Sequence, residues 1–138
     1  MKDIDKFLEN IYQFHRKIRV RLSNELSRGK ITIPQYHIMY FLSDRRRATM
    51  SELAEHLLVS RAAVTGLVDK LVKTGFVKRK FSCEDRRIIM ISLTEKGKIV
   101  ISKIKKQFNS LLVSAFNKLS SEEKKQFMEM SEKMGQFI

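Results

Sequence analysis

The residues most able to make specific chemical contacts lie in a short stretch that begins at Ser60. One side of this stretch is apolar at helical spacing, with Val64, Leu67, Val68 and Leu71. The other side has only small, polar or basic residues, namely Ser60, Arg61, Ala62, Thr65 and Gly66. Arg61 can donate to a guanine edge or a phosphate, and the Ala62 methyl can pack against a thymine methyl. We therefore predict a helix over 60–73 that fits the major groove of DNA, although an ordinary solvated helix would show the same pattern when taken alone.

The other reactive residue types form no catalytic or metal-binding pattern. The sequence has no glycine-rich phosphate loop, HExxH motif, CxxC pair or nucleophile elbow. The spacing of His15, His37 and His56 matches no metal motif, so we expect structural histidines. We therefore expect a protein that is not an enzyme and that uses no metal and no cofactor.

The single cysteine, Cys83, excludes an internal disulfide and fits a reducing cytoplasm. A reactive cysteine needs an environment that stabilises the thiolate. Glu84 and Asp85 follow Cys83 directly and disfavour that charge. We therefore predict an inert surface thiol.

The charge balance narrows the choice of partner. Lys and Arg total 28 against 15 Asp and Glu, so the net charge is +13. This favours a polyanionic partner, either a nucleic acid or an anionic membrane surface. Residues 45–98 hold 13 basic and 6 acidic side chains, net +7. No apolar run approaches the length of a membrane span and the first residues lack a signal-peptide core, so we expect a cytoplasmic protein with no membrane partner.

The segments on either side of residues 60–73 would position this helix. Thr49 and Glu52 have capping-box spacing, which predicts a short helix before it, and residues 58–59 form the turn between the two. Gly75 follows as a left-handed stop. The sequence therefore predicts a helix-turn-helix.

A hairpin is predicted directly after this pair of helices. Residues 76–81 and 88–93 are β-rich, and the polar stretch 82–87 between them contains two arginines. A short helix, a tight turn, a second helix and a hairpin with a basic tip together make a winged helix-turn-helix.

Amphipathic helices are predicted on both sides of this core. Apolar residues recur at spacings of three and four over 4–26, and Gly29 is expected to end that helix. Thr32 and Gln35 have capping-box spacing at the start of the next helix. A long helix over about 94–118 and a last one over 120–137 follow the hairpin. The predicted fold class is mainly α (α+β), with a winged helix-turn-helix core between long terminal helices.

The stretch from Ile33 to Gly97 resembles the multiple-antibiotic-resistance regulator (MarR) family. The resemblance rests on five groups of residues and, with the flanking helices, covers nearly the whole chain. They are Gln35-Tyr36, Ser51-Glu52-Leu53-Ala54-Glu55, Val64-Thr65-Gly66-Leu67-Val68-Asp69-Lys70-Leu71 with Gly75-Phe76-Val77-Lys78-Arg79, Asp85-Arg86-Arg87, and Leu93-Thr94-Glu95-Lys96-Gly97.

The resemblance implies a single domain over 1–138 that acts as a two-fold homodimer and binds double-stranded DNA. Residues 30–98 would form the DNA-binding lobe, and 1–29 with 99–138 the dimerisation region. It also implies a wing in which Asp85 orients Arg87 into the minor groove. The residues expected to contact DNA are Ser60, Arg61, Ala62, Thr65, Gly66, Lys70, Lys73, Arg79, Asp85, Arg86 and Arg87.

Many proteins of this family are repressors that small phenolic or lipophilic anions, or cysteine oxidation, release from DNA. The resemblance thus implies transcriptional regulation, with a pseudo-palindromic operator and a small ligand. Five residues are candidates to line a ligand pocket, although core or hinge packing is the simpler explanation for each of them taken singly. They are Tyr12, His15, Arg16, Tyr36 and Met39.

Two questions stay open at this point. The first is whether the run Arg45-Arg46-Arg47 adds phosphate contacts or is an exposed charge cluster. The second is whether the whole chain is a DNA-binding regulator, a winged-helix module that binds proteins, or an architectural DNA binder with little sequence preference.

Overall fold

The computed structural model describes all 138 residues as six helices and one small antiparallel sheet. The chain forms two compact units, Met1–Lys105 and Lys106–Ile138. The predicted mainly α winged helix-turn-helix is confirmed. In chain order the elements are α1 (Lys2–Arg28), α2 (Ile33–Arg45), β1 (Arg47–Thr49), α3 (Met50–Leu57), α4 (Arg61–Lys73), β2 (Val77–Phe81), β3 (Ile89–Leu93), α5 (Glu95–Phe116) and α6 (Ser121–Gly135).

Most helices begin where the sequence predicts, because their first turns are capped by side chains. The capping boxes at Thr32, Thr49 and Ser120 are all formed, each with the residue three positions later. Gly29 ends α1 as predicted. It caps the helix with a negative φ of −94°, and a positive φ of 56° occurs at the next residue, Lys30.

The core of the first unit joins helices α1 to α5 to the sheet. The predicted apolar face of α4 is buried at Val64, Val68 and Leu71, whereas Leu67 is half-buried. Burial of an aliphatic side chain contributes roughly 1.5–3 kcal/mol. The largest side chains with almost no exposed surface are Leu26, Ile38, Met39, Leu42, Leu53, Leu71, Ile91 and Ile101.

The sheet contains the predicted hairpin and one strand that the sequence did not reveal. Its order is β1-β3-β2, with Val77 opposite Leu93 and Phe81 opposite Ile89. The extra strand, β1, lies where a basic connection was expected and pairs Ala48 with Ile91. Three residues with one apolar side chain carry no periodicity, and only the pairing with β3 defines this strand.

The first turn of α5 packs tightly against the residues that directly follow α4. Thr94 Oγ1 donates to the Gly75 carbonyl, and the Gly97 amide donates to Thr94 Oγ1 at 3.0 Å. Gly75 ends this segment with φ 78°, the left-handed conformation predicted for it. A Cβ at Gly97 would lie 2.0 Å from the Phe76 carbonyl oxygen, so only glycine fits there.

The second unit has little core of its own. Within it, Phe116 contacts Phe127 edge-on at 6.3 Å between ring centroids. None of the residues of α6 is buried, and Phe127, Met128, Met130 and Met134 are exposed. No helix anywhere in the chain has the length and apolarity needed to cross a bilayer.

Candidate nucleic-acid interface

Helix α4 presents the predicted polar face to solvent. Ser60 caps the helix, because its hydroxyl oxygen accepts from the Ala63 amide at 3.1 Å. The residues expected to face DNA are all exposed, namely Ser60, Arg61, Ala62, Thr65 and Gly66. The buried side of the same helix fixes this orientation, since rotating it would expose Val64 and Val68.

In the middle of this face the side chains protrude little from the helix backbone. The Thr65 hydroxyl donates to the Arg61 carbonyl at 2.9 Å, so only its oxygen lone pairs and its methyl remain for a partner. A Cβ built at Gly66 meets no atom within 4 Å. Another macromolecule can therefore approach the helix backbone closely at this point.

An ion pair joins α4 to the hairpin. The Arg79 guanidinium on β2 donates to the Asp69 carboxylate on α4, and both side chains are partly exposed. Asp69 was not singled out as a functional residue, because a single acidic residue on a basic helix looks like surface charge. The pair uses one guanidinium nitrogen of Arg79 and leaves part of its side chain exposed.

The tip of the hairpin is organised around Asp85. Its Oδ1 accepts from the Arg87 amide at 3.0 Å and from Arg87 Nε at 3.2 Å, and its Oδ2 accepts from an Arg87 terminal nitrogen at 3.2 Å. The hydrogen bonds from the Arg87 side chain and backbone lower the pKa of Asp85. The side chain of Arg87 is nevertheless 91% exposed. The arginine is therefore both oriented and accessible.

One cleft brings helix α4 and the hairpin together. It measures about 380 Å³, and it is lined by Arg61 from α4 and by Arg87 from the hairpin. The other lining residues are Thr49, Met50, Ser51, Ile88 and Ile89. Two guanidinium-bearing residues from different elements thus border one concave surface, as expected of a surface that holds a polyanion.

The other predicted DNA contacts lie on the same two elements, helix α4 and the hairpin. Lys70 and Lys73 are exposed in the last turns of α4, and Arg86 is exposed at the hairpin tip. Cys83 is also exposed at this tip, two residues before Asp85. The hairpin tip therefore combines two arginines with one free thiol.

The five candidate ligand residues occupy two different environments. Tyr36 and Met39 lie in the core, with 6% and 0% of their surface exposed. Burial, and to a lesser extent Tyr40, raise the pKa of Tyr36, so its phenol stays neutral. Tyr12, His15 and Arg16 lie exposed on α1. The single chain therefore does not bring the five together in one open pocket.

The three consecutive arginines follow the end of α2. The Arg45 guanidinium lies over the Phe41 ring, 4.9 Å from its centroid. Arg46 lines a cavity beside α5, and Arg47 is exposed at the start of β1. All three arginines are exposed, and each has different surroundings.

Comparison with known proteins finds one family and several regulators. The MarR family model matches residues 31–89. The transcriptional repressor YetL of Bacillus subtilis is 35% identical over 105 residues, which cover 76% of this chain and 61% of that protein. The helix-turn-helix regulator YhbI of the same organism is 34% identical over 111 residues, covering 80% of this chain and 70% of that protein. The chain thus spans less than two thirds of YetL.

Solved structures share the architecture over nearly the full length. YusO of Bacillus subtilis superposes with a TM-score of 0.80 at 26% identity, covering 99% of this chain and 94% of that one. A mutant MarR of E. coli in complex with operator DNA superposes with a TM-score of 0.74 at 23% identity, covering 96% and 95% of the two chains. The second likeness shows the fold alone.

Proposed function

The chain belongs to the MarR family, and on that premise we propose that it regulates transcription as a homodimer on a pseudo-palindromic operator. Helix α4 enters the major groove, and the hairpin tip reaches the adjacent minor groove. The protein works in the cytoplasm, where it meets DNA.

The observation that carries this proposal is the arrangement of Asp85 and Arg87. A narrow, A·T-rich minor groove concentrates negative potential and attracts an inserted arginine. Free arginine side chains lose much rotamer freedom on insertion, whereas here Asp85 already holds the guanidinium through both of its oxygens. An exposed ion pair adds little to folding stability, so its value lies in orienting Arg87.

The exposed face of α4 supports sequence-specific contact. Arg61 donates to a base edge or a phosphate, and the low surface at Ala62, Thr65 and Gly66 lets the helix sit deep in the groove. The remaining basic residues neutralise phosphates. They are Lys70, Lys73, Arg79 and Arg86. Arg79 contacts its phosphate while it remains paired with Asp69.

The terminal helices support dimerisation. On α1, Ile4, Leu8 and Ile11 are each about half exposed, and α6 exposes Phe127 and Met130 to a similar degree. Apolar surface on this scale is uncommon on soluble monomers. A second copy covers it and sets two recognition helices about one DNA turn apart, roughly 10 bp.

The direction of regulation in this proposal is repression that a small phenolic or lipophilic ligand relieves. The relative YetL is itself named a repressor. The exposed residues Tyr12, His15 and Arg16 meet such a ligand at the dimer helices, and Tyr36 and Met39 take part only when α1 and α2 separate enough to uncover them.

Selection of bound sites from random duplex DNA tests the proposal directly. Full-length protein should enrich an inverted repeat whose half-sites lie about one helical turn apart. Binding to that site should weaken steeply with salt, with a log–log slope of about −0.9 per phosphate neutralised.

The two competing functions give different outcomes of the same selection. A module that binds proteins enriches no DNA at all. An architectural binder retains DNA with a steep salt dependence but without a consensus. Either result would refute the proposed regulator, and protection of one half-site alone would refute the dimer.

A further inference from the structure

A second concave surface lies at the base of the hairpin, in the first unit of the chain. It measures about 570 Å³ and is bordered by the end of α2, the paired strands β2 and β3, and the first turns of α5. It is lined by Leu42, Ser43, Arg46, Lys78, Ser92, Leu93, Lys98, Ile101 and Ser102. None of these residues belongs to the DNA-binding face described above.

The lining is cationic and contains no acidic side chain. Arg46 and Lys78 form no ion pair within the protein, and Lys98 pairs only with the exposed Glu95, at 3.1 Å. An exposed pair of this kind exchanges its partner at little cost. Three positive charges thus border one cavity, and only Lys98 has a carboxylate partner.

Hydroxyl groups add donors to the same cavity. Ser92 and Ser102 make no side-chain hydrogen bond within the protein, so both hydroxyls are free to donate to a ligand. Ser43 is already committed, because it donates to the Tyr40 carbonyl and accepts from Lys105 Nζ at 3.0 Å. Lys105 is balanced by Asp44 at 3.3 Å, and neither residue lines the cavity.

The backbone at Arg46 is strained. Its φ is 67° and its ψ is −43°, a conformation that glycine adopts far more readily than a residue with a Cβ. The Arg46 amide donates to the Leu42 carbonyl at 2.9 Å, which closes α2 and would be made equally well by glycine. Folding alone therefore does not require an arginine here.

We propose that this cavity binds the phosphate group of a small phosphorylated molecule. Three cations and two free hydroxyls match the charge and the several acceptor oxygens of a phosphate dianion better than those of a single carboxylate. The cavity also exceeds the size of a bare phosphate ion, and Leu42, Leu93 and Ile101 provide apolar surface for the rest of the ligand.

The position of the cavity separates it from the DNA. Lys78 pairs with Ser92 near the start of the hairpin, three residues before the last pair of the ladder, Phe81 with Ile89. At about 3.3 Å per residue this places Lys78 roughly 10 Å from the end of the ladder, and the tip with Arg87 lies beyond it. A ligand here therefore touches the strands that carry the tip without occupying the tip.

Calorimetric titration of the full-length protein with inorganic phosphate, at an ionic strength held constant with NaCl, tests this inference. Wild type should bind one phosphate per chain in a saturable manner. Arg46→Gly and Lys98→Gln should each weaken binding by about tenfold or more, because each removes one of the three cations. The control Lys103→Gln removes the same charge from α5 outside the cavity and should bind like wild type.

Thermal unfolding and DNA binding complete the test. Arg46→Gly should keep or raise the melting temperature, since it relieves the positive φ, so its loss of phosphate binding would not result from unfolding. An equal loss in Lys103→Gln, or no saturable binding by wild type, would overturn the inference. So would a fall of about one in the salt slope for operator DNA in Arg46→Gly, because that would make Arg46 a contact to the DNA backbone.

Discussion

Substituting Gly66→Ala should stabilise the protein and weaken its binding to DNA. Gly66 lies inside helix α4, and a Cβ built there meets no atom within 4 Å, so the added methyl creates no clash. Replacing glycine by alanine in a helix interior gains about 0.5–1 kcal/mol. In a chain of this size such a gain raises the melting temperature by about 2–4 °C.

The same methyl should be costly at the interface. It would stand on the lowest part of the face that approaches the major groove, beside Thr65 and Ala62. We expect operator affinity to fall by about tenfold, which corresponds to about 1.4 kcal/mol. Thermal unfolding and a titration with labelled operator measure the two effects separately.

Gly135→Ala is the matched control, because Gly135 also lies in a helix with open space around its Cα. It should leave operator affinity unchanged. A Gly66→Ala protein that binds the operator as tightly as wild type would show that this face does not meet DNA closely. A melting temperature lowered by Gly66→Ala would refute the structural half of the argument.

Five further outcomes are expected. Arg87→Ala should cost about 1–3 kcal/mol of operator affinity and relax preference at the outer A·T positions, whereas a uniform loss on all sequences would identify a plain phosphate contact. Asp85→Ala should give a smaller loss in the same direction, measured in the same titrations, with no change in unfolding. Because Arg87 lowers the pKa of Asp85, the pair should persist until the pH falls below the ordinary carboxyl range, and operator binding that is lost well above this range would contradict the pairing. Gly97→Ala should destabilise the fold by about 3 kcal/mol or more, seen in denaturant unfolding, because its Cβ would lie 2.0 Å from the Phe76 carbonyl oxygen. Deleting residues 120–138 should cause aggregation or unfolding, and a monodisperse folded monomer of the full-length chain in sedimentation would contradict the dimer.

The local signals in the sequence predicted most of the fold because they act over a few residues. Capping boxes at Thr32, Thr49 and Ser120 depend only on neighbours three positions away, and all three are formed. The apolar spacing at Val64, Val68 and Leu71 defined the buried side of α4 and with it the exposed side. The placement of the candidate DNA-contact face follows from this one periodicity.

Features that depend on distant partners were not predictable in the same way. Strand β1 exists through its pairing with β3, more than forty residues later in the chain. The Asp69–Arg79 pair and the cavity around Arg46 also join segments that are separate in sequence. Residue types gave no reason to separate Arg46 from Arg45 and Arg47, and only the backbone turn at Arg46 distinguishes it.

The first turn of α5 is joined tightly to the end of the α4 segment. Lys96 Nζ donates to the Thr74 carbonyl at 2.9 Å, the Thr94 amide donates to the Phe76 carbonyl at 3.0 Å, and Gly97 lies against that same carbonyl. This joint lies at one end of a helix of 13 residues, and the cap at Ser60 is about 20 Å away at the other. A rotation of about 10° at this joint moves Ser60 and Arg61 by roughly 3.5 Å, whereas a hydrogen bond to a base edge tolerates only a few tenths of an ångström. If α4 followed a small tilt of the first turn of α5 as a rigid rod, the end of α4 that we propose to contact DNA would leave the register of its bases.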